Sequence, residues 1–304
     1  MWYFVHILYV FNIIIMKKPL FLILFVAWTI SASAQTFSVT SPSDINTITF
    51  ELRDGVPFYS VDRLDRPVLE ASRLGFELQN MRNLDAGFTV ASHEITEFDE
   101  TWTQVWGEKE HIRNHYRELR VSLEESGADA RQLDIVFRAF DDGIGFRYEF
   151  PEQSNLGAFN IMNELTEFKL TGDHESWWIG AYQWNRFEYL TEHSPISAID
   201  TVHTPLTMRT ADGLYIAMHE AALVRYSTMT LERTDGFTLK ANLMPWSDGV
   251  LVRTASPAVT PWRTIILSDT AGGLIESYLV LNLNEPNKIE DTSWIKPSKY
   301  VGIW

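Results

Sequence analysis

Hydrophobic and polar residues alternate with a period of two along most of this chain. Ile48, Phe50 and Leu52 alternate with polar residues before a turn at residues 53–55, and residues 119–123 and 133–139 repeat the pattern. Successive side chains of a β-strand point to opposite faces, so this alternation predicts half-buried strands. No window shows a convincing amphipathic helix. Residues 111–118 come nearest, and that segment is short.

Turn signals join these runs into hairpins. The segment DDGIG at residues 141–145 separates the run 133–139 from the alternating Phe146, Tyr148 and Phe150, and it places glycine where a hairpin turn needs positive φ. Asp212-Gly213 separates residues 207–209 from 215–218 in the same way, and further strand-like runs lie at residues 237–243 and 262–267. The pattern predicts one large all-β domain, too long for a small immunoglobulin-type sandwich and suited to a many-stranded double sheet.

The first 34 residues have the features of a secretory signal. MKK at residues 16–18 precedes the apolar run 20–30 and the small residues 31–34, which predicts a signal peptide cleaved after Ala34. Residues 1–15 are also apolar but precede the better start at Met16, so we interpret them as a misplaced start. The alternative is a membrane anchor from residue 1. Its span would include two lysines and Pro19, so no stable membrane span is expected.

Charge and cysteine content limit the function classes. The formal net charge is −15, with 40 acidic residues against 25 lysines and arginines. Such a chain is not expected to bind nucleic acid, whose affinity depends on basic residues neutralising phosphates. The acidic excess suits an extracytoplasmic protein and could serve a divalent cation. With no cysteine, the chain has neither disulfides nor thiolate metal ligands and must depend on a sizeable hydrophobic core.

An aromatic segment at residues 177–190, WWIGAYQWNRFEYL, carries the main candidate chemistry. Its six aromatic residues surround Asn185, Arg186 and Glu188. Aromatic surfaces with a few polar groups form sugar-binding or cation-binding walls, and a carboxylate among them needs a cation or hydrogen-bond donors. A core aromatic cluster with Glu188 at its edge explains the same composition, so both interpretations stand at this point.

Other catalytic patterns are weaker. His111 and His115 have the spacing of two zinc ligands on a helix, but no glutamate follows His111, and we expect a polar loop or short turn there. The chain has no Gly-x-Ser-x-Gly nucleophile elbow and no phosphate-binding loop. Glycoside hydrolysis needs two carboxylates, and Glu188 is the one acid with aromatic residues densely on both sides. His219 and Glu220 follow a predicted strand and could line the same face.

Eight segments in order resemble glycoside hydrolase family 97. They are WGE at residues 106–108, RNHY at 113–116, DDGIGFRY at 141–148, WWI at 177–179, FEYL at 187–190, HEAAL at 219–223, PWRT at 261–264 and WIKP at 294–297. Each is weak alone, but together they span residue 37 to the last residue and make the resemblance specific.

The resemblance implies a fold and a function. A chain that resembles this family is expected to have its domain order, with an N-terminal β-super-sandwich of the galactose-mutarotase type followed by a (β/α)8 catalytic barrel. Family members are periplasmic or outer-membrane-associated α-glucosidases or α-galactosidases that use calcium and act on oligosaccharides or α-glycosides. By motif, the calcium ligand that the N-terminal domain lends falls on Glu188. The catalytic carboxylates belong to the barrel, so no catalytic residue is expected in this chain.

The end of the chain is expected to leave the sandwich. Residues 35–290 would form the N-terminal domain, and residues 291–304 a linker and the first strand of the barrel, at residues 300–304, with the rest of the barrel missing. The resemblance therefore implies a fragment that is inactive alone.

Two alternatives remain. The chain could be a free-standing carbohydrate-binding or mutarotase-like protein, whose general acid and base would come from its glutamates and from His174, His193, His203 or His219. It could also be a fragment prone to aggregation through the apolar strand at residues 300–304.

Overall fold

The alternating runs of the sequence fold into antiparallel strands. The computed structural model describes residues 35–183 and 188–303, so the predicted signal peptide, the possible anchor and Trp304 lie outside the described residues. The described residues belong to one of two compact units, Ser33–Trp304.

The strands, in chain order, are β1 Gln35–Thr40, β2 Asn46–Arg53, β3 Val56–Arg63, β4 Arg66–Arg73, β5 Phe76–Leu78, β6 Phe88–Thr103, β7 His111–Glu125, β8 Gln132–Phe140, β9 Gly143–Phe150, β10 Ala158–Glu164, β11 Glu167–Leu170, β12 Glu175–Trp178, β13 Glu192–Pro195, β14 Thr201–His203, β15 Leu206–Arg209, β16 Tyr215–Ala221, β17 Met229–Arg233, β18 Thr238–Leu243, β19 Val252–Ala255, β20 Ala258–Val259 and β21 Trp262–Ser268. A 3₁₀ turn, Ile196–Ala198, and two short helices, α1 Ala271–Ile275 and α2 Leu279–Asn282, complete the described elements.

Two large sheets face each other. One has the order β1-β2-β3-β4-β11-β18-β17-β14, and the other has the order β13-β12-β15-β16-β21-β9-β8-β7-β6 with β20 paired to β9. Between them, Phe50 lies 6.2 Å from Phe137 and Tyr59 lies 4.6 Å from Phe146, measured between ring centroids. The predicted all-β sandwich is confirmed, and the inward side chains of its alternating runs form the core.

The predicted hairpins are confirmed at their turns. β2 pairs with β3 across residues 53–56, β8 with β9 around Gly143, and β15 with β16 across Asp212-Gly213. Gly143 has a φ of +151°, and a Cβ there would overlap the Ile265 carbonyl oxygen. Glycine is therefore needed both for the turn and for the close approach of β21.

A second apolar cluster lies on the outer face of the larger sheet. Trp262 packs there with Tyr116 and Phe140, while Leu279 and Leu283, in and just after α2, cover it. The helices α1 and α2 were not predicted, because five and four residues are too few to show a helical period.

β6 and β7 form a long ribbon at one end of this sheet. They pair from Phe88 with Glu125 to Thr103 with His111, whereas β8 pairs only with residues 117–124 of β7. Most of β6 is exposed, and its outer edge has no partner strand among the described residues.

One expectation about local structure was wrong, and another stays untested. Residues 111–115 are neither a polar loop nor a helical turn but the start of β7, because pairing with β6 fixes them as extended. Residues 300–303 form no strand among the described residues and are largely exposed, and their assignment to the first strand of a barrel stays a prediction. A strand is stable only beside another one, and within 35–183 and 188–303 none lies alongside them.

Candidate functional site

The aromatic segment begins in β12, and its described residues 179–183 and 188–190 lie between β12 and β13. The Trp177 ring stacks on the imidazole of His193 at 4.8 Å and 9°. Trp178 Nε1 donates to Ser194 Oγ at 2.9 Å. The base of this loop is therefore anchored in the sheet, and Trp178, which packs against the hydrophobic core, agrees with the core-cluster interpretation.

Beyond the base, the loop leaves the core. Tyr182 has a φ of +55° and an exposed ring, and its hydroxyl donates to Asn242 Oδ1 at 3.1 Å. Glu188 is exposed, as is Leu190. Residues 184–187, which include Asn185 and Arg186, lie outside the described residues. The two interpretations of the segment thus apply to different parts of it, since its base packs in the sheet whereas Tyr182, Glu188 and Leu190 face solvent.

Tyr182 also lines a groove on the outer face of the smaller sheet. A cavity of about 540 Å³ lies between the loops at residues 222–228 and 244–251, and a second of about 280 Å³ adjoins it at Pro245 and Leu251. We call the two together the β17–β18 groove. The larger cavity contains Trp246, whose side chain is 63% exposed.

The smaller cavity is lined by polar side chains that contact one another. Lys240 Nζ donates to Asn163 Oδ1 at 2.8 Å, and Asn242 Nδ2 donates to Glu232 Oε2 at 3.1 Å. Sequence analysis missed these residues. Their signal is the outward polar phase of β17 and β18, together with a tryptophan inside a turn of sequence PWSDGV at residues 245–250.

A buried ion cluster lies beneath the larger cavity. Arg263 Nε and Nη2 donate to the two oxygens of Glu164 at 2.8 and 2.7 Å, and Nη1 donates to Glu220 Oε2 at 2.8 Å. Tyr226 and Thr228, which line the cavity, donate to Glu164 and Glu220 respectively. The cluster therefore fixes the floor of the groove.

The electrostatics of this cluster favour the charged arginine and the neutral tyrosine. Burial alone would lower the pKa of Arg263, but the charge and hydrogen bonds of Glu164 outweigh it and raise that pKa. Burial, followed by the charge of Glu164, raises the pKa of the Tyr226 hydroxyl well above its usual value. The half-buried ring of Tyr226 thus presents a permanent donor to the carboxylate.

His219 and Glu220 do not line one face. They are successive residues of β16, so their side chains point to opposite sides of the sheet. His219 Nδ1 contacts Thr204 Oγ1 at 3.0 Å, whereas Glu220 joins the buried cluster. The expectation that His219 and Glu220 line the same face is therefore wrong.

The histidines of the mutarotase-like alternative lie in different surroundings. His174 is buried and contacts Thr171, and His193 stacks on Trp177. Burial lowers the pKa of His174, His203 and His219, which favours their neutral forms. The contacts described for His174, His193 and His219 do not assemble an acid and base around one cavity.

His111 and His115 share one face of β7 with different partners. His115 Nε2 lies 2.9 Å from Glu97 Oε1, and His111 Nδ1 lies 3.5 Å from Thr103 Oγ1. Within residues 35–183 and 188–303, no three His, Asp or Glu side chains are close enough to hold a metal ion together. In the same part of the chain, no helix has the length and apolar character needed to cross a bilayer.

Comparison with known proteins identifies the family. The family described as glycosyl-hydrolase 97 N-terminal matches residues 39–286. This chain belongs to that family. The match covers the sandwich, the β12–β13 loop and the β17–β18 groove.

The curated relatives of the family are longer than this chain. A probable retaining alpha-galactosidase from Streptomyces bingchenggensis is 26% identical over 96% of this chain and 45% of its own length. A retaining alpha-galactosidase from Bacteroides thetaiotaomicron is 24% identical over 95% of this chain and 47% of its own length. The chain spans less than half the length of these relatives.

Solved structures of the family share the fold. Glycoside hydrolase family 97 enzymes from a Pseudoalteromonas species, one in complex with panose and one with acarbose, are each 37% identical with a TM-score of 0.84. Each match covers 86% of this chain and 40% of the solved chain. A beta-arabinopyranosidase, with 21% identity and a TM-score of 0.74 over 83% of this chain and 43% of its own, shows a similar fold.

Proposed function

We propose that this chain is the N-terminal domain of a calcium-dependent α-glycosidase acting on α-glucosides or α-galactosides, in which Glu188 supplies one calcium ligand. The observation that carries the proposal is the position of Glu188 on the β12–β13 loop. It is an exposed carboxylate beyond a base locked by the Trp177–His193 stack. The galactosidase names and sugar complexes of the relatives support the substrate class.

The chemistry of the donor fits calcium. Calcium takes six to eight hard oxygen ligands, and a carboxylate projecting from a firmly based loop is a suitable single contribution. The proposal assigns the other ligands and the catalytic carboxylates to the additional length that the relatives have. It also places the protein in the periplasm or at the outer membrane, supported by the signal-like residues 16–34.

A chimaera tests the calcium role. Residues 39–286 replace the matching part of the Pseudoalteromonas enzyme, and hydrolysis of an aryl α-glycoside is followed as calcium is added back after chelation. We expect Glu188→Gln to raise the calcium concentration for half-maximal activity about tenfold or more. Glu192→Gln, an exposed glutamate on β13, is the matched control and should leave it unchanged.

The outcome that overturns the calcium role is an unchanged calcium dependence in Glu188→Gln while the parent chimaera is active. The assignment of catalysis to the rest of the enzyme has its own test. The chain alone, with calcium, should not hydrolyse aryl α-glucosides or α-galactosides, and turnover by sequence-verified protein would contradict it.

A further inference from the structure

The β17–β18 groove presents an aromatic platform beside a row of polar groups. We propose that it binds a hexopyranose unit of a neutral oligosaccharide, and that this binding needs no calcium. The class of ligand rests on the proposed function, whereas the location rests on the groove itself.

Trp246 provides the platform. Its ring is 63% exposed although the backbone around it is well held, with Trp246 N donating to Val250 O at 2.8 Å and Gly249 N to Trp246 O at 2.9 Å. The Arg253 guanidinium lies 5.3 Å from the ring centroid and pairs with Asp248. A fixed, exposed indole offers a flat apolar surface of the kind against which the C–H face of a pyranose packs.

The polar groups of the smaller cavity suit sugar hydroxyls. Tyr182, Asn242 and Glu232 form one chain of hydrogen bonds, and Lys240 with Asn163 forms another. An ammonium group has three protons and a carboxylate has about four acceptor positions, so each retains capacity for a ligand. Hydroxyls both donate and accept, and this mixed row can satisfy them without rearrangement.

The charges of the groove favour a neutral ligand. Glu232 and Lys240 lie directly opposite each other across β17 and β18, and the charge of Arg253 is balanced by Asp248. The chain as a whole has a net charge of −15, which adds repulsion for anionic ligands. Glu232 and Lys240 therefore place one charge of each sign in the smaller cavity, while Arg225 adds a cation to the lining of the larger one.

The size of the groove and its support agree with this ligand. The adjoining cavities of about 540 and 280 Å³ together fall in the range of small-molecule sites and can take a mono- or disaccharide. The polar residues of the smaller cavity lie mainly on strands, and the Arg263 cluster holds Tyr226 and Thr228 of the larger cavity from below. A site on rigid elements loses little entropy on binding.

Titration of the purified full chain with maltose and melibiose, in the presence of EDTA, tests the proposal by calorimetry. We expect saturable binding of at least one sugar and an affinity at least tenfold lower for Trp246→Ala. Lys240→Met should also weaken binding. Trp106→Ala, which removes a 61% exposed tryptophan between β6 and β7, is the matched control and should bind as the parent does.

Two results would overturn the proposal. One is the absence of saturation at the solubility limit of both sugars by parent protein that melts cooperatively. The other is unchanged binding by folded Trp246→Ala. In EDTA, Glu188→Gln should bind sugar as the parent does, so the groove proposal and the calcium proposal can fail independently. If the chimaera is active and calcium-dependent but the chain alone binds no sugar, only the groove proposal is refuted.

Discussion

Arg263 and Glu164 form a two-point ion pair in which neither side chain reaches solvent. Glu220 adds a second carboxylate to the same guanidinium, so two buried acids share one arginine. Each oxygen of Glu164 also accepts from a neutral hydroxyl, Thr166 or Tyr226. Burial of three ionised groups is tolerated because every charge has several partners.

Removal of Arg263 should therefore be severe. Arg263→Met leaves two carboxylates buried without a cation, and we expect a loss of about 3–5 kcal/mol in the free energy of unfolding, measured with urea. The double variant Arg263→Met with Glu164→Gln should recover part of the loss. Arg209 forms an exposed ion pair with Glu175 at 4.0 Å, and Arg209→Met should lower the free energy of unfolding by less than about 1 kcal/mol. Equal losses at the two arginines would contradict this account.

Trp262 lies between two arginines on the outer face of the larger sheet. The guanidinium carbons of Arg138 and Arg147 are each 4.5 Å from its ring centroid. Trp262→Ala removes both cation–π contacts and opens a cavity, so a destabilisation of about 3–5 kcal/mol is expected. Trp294→Ala, at a 68% exposed side chain, should change stability by less than about 0.5 kcal/mol in the same thermal or urea experiment.

Glu125 should make the free energy of unfolding depend on pH in acid solution. Burial would raise its pKa, but hydrogen bonds from Arg131 and Arg82 outweigh this and lower it. A carboxyl group with a lowered pKa stabilises the fold above its unfolded pKa, about 4.3, and this contribution is lost as pH falls through the lower folded value. Glu125→Gln should therefore be less stable at neutral pH and flatten the acid limb of stability against pH.

The matched control for Glu125 is Glu70→Gln, which removes one member of an exposed pair with Lys169. Its acid limb should follow that of the parent. If the stability of Glu125→Gln falls with decreasing pH as steeply as that of the parent, the acid sensitivity belongs to other carboxylates.

Gly143 and Gly236 form a matched pair for backbone strain. Gly143→Ala would add a Cβ against the backbone of β21 at a φ of +151°, whereas a Cβ at Gly236, with a φ of +57°, meets open space. We expect a loss of about 3 kcal/mol or more at Gly143 and roughly 1 kcal/mol at Gly236 in urea unfolding. Losses of similar size would show that the close contact with β21 can relax.

The sequence predicts the sandwich well because the signals that build it are local. Alternating runs such as Ile48, Phe50 and Leu52, separated by turn glycines, specify both strand faces and hairpins. Residues 111–115 were misjudged because their extended conformation depends on pairing with residues 99–103 of β6.

The groove was harder to predict because it depends on non-local geometry. Asn163, Tyr182 and Asn242 come together only when three separate parts of the chain fold. Glu220 was visible as a candidate acid, but its buried pairing with Arg263 could not be inferred from either local segment. The assignment of Glu188 as a calcium ligand came from the resemblance to glycoside hydrolase family 97, and it remains a prediction.

The long outer edge of β6, which has no partner strand in residues 35–183 and 188–303, has a consequence for solubility. Exposed backbone on such an edge can pair with a second molecule, and acidic residues along β6, among them Glu94, Glu97 and Asp99, oppose this through mutual repulsion between copies. Hydrogen bonds from His115 and Arg113 lower the pKa of Glu97 and Asp99, so both carboxylates stay ionised to a lower pH than usual. The same carboxylates that tie the ribbon together therefore protect the protein from edge-to-edge assembly.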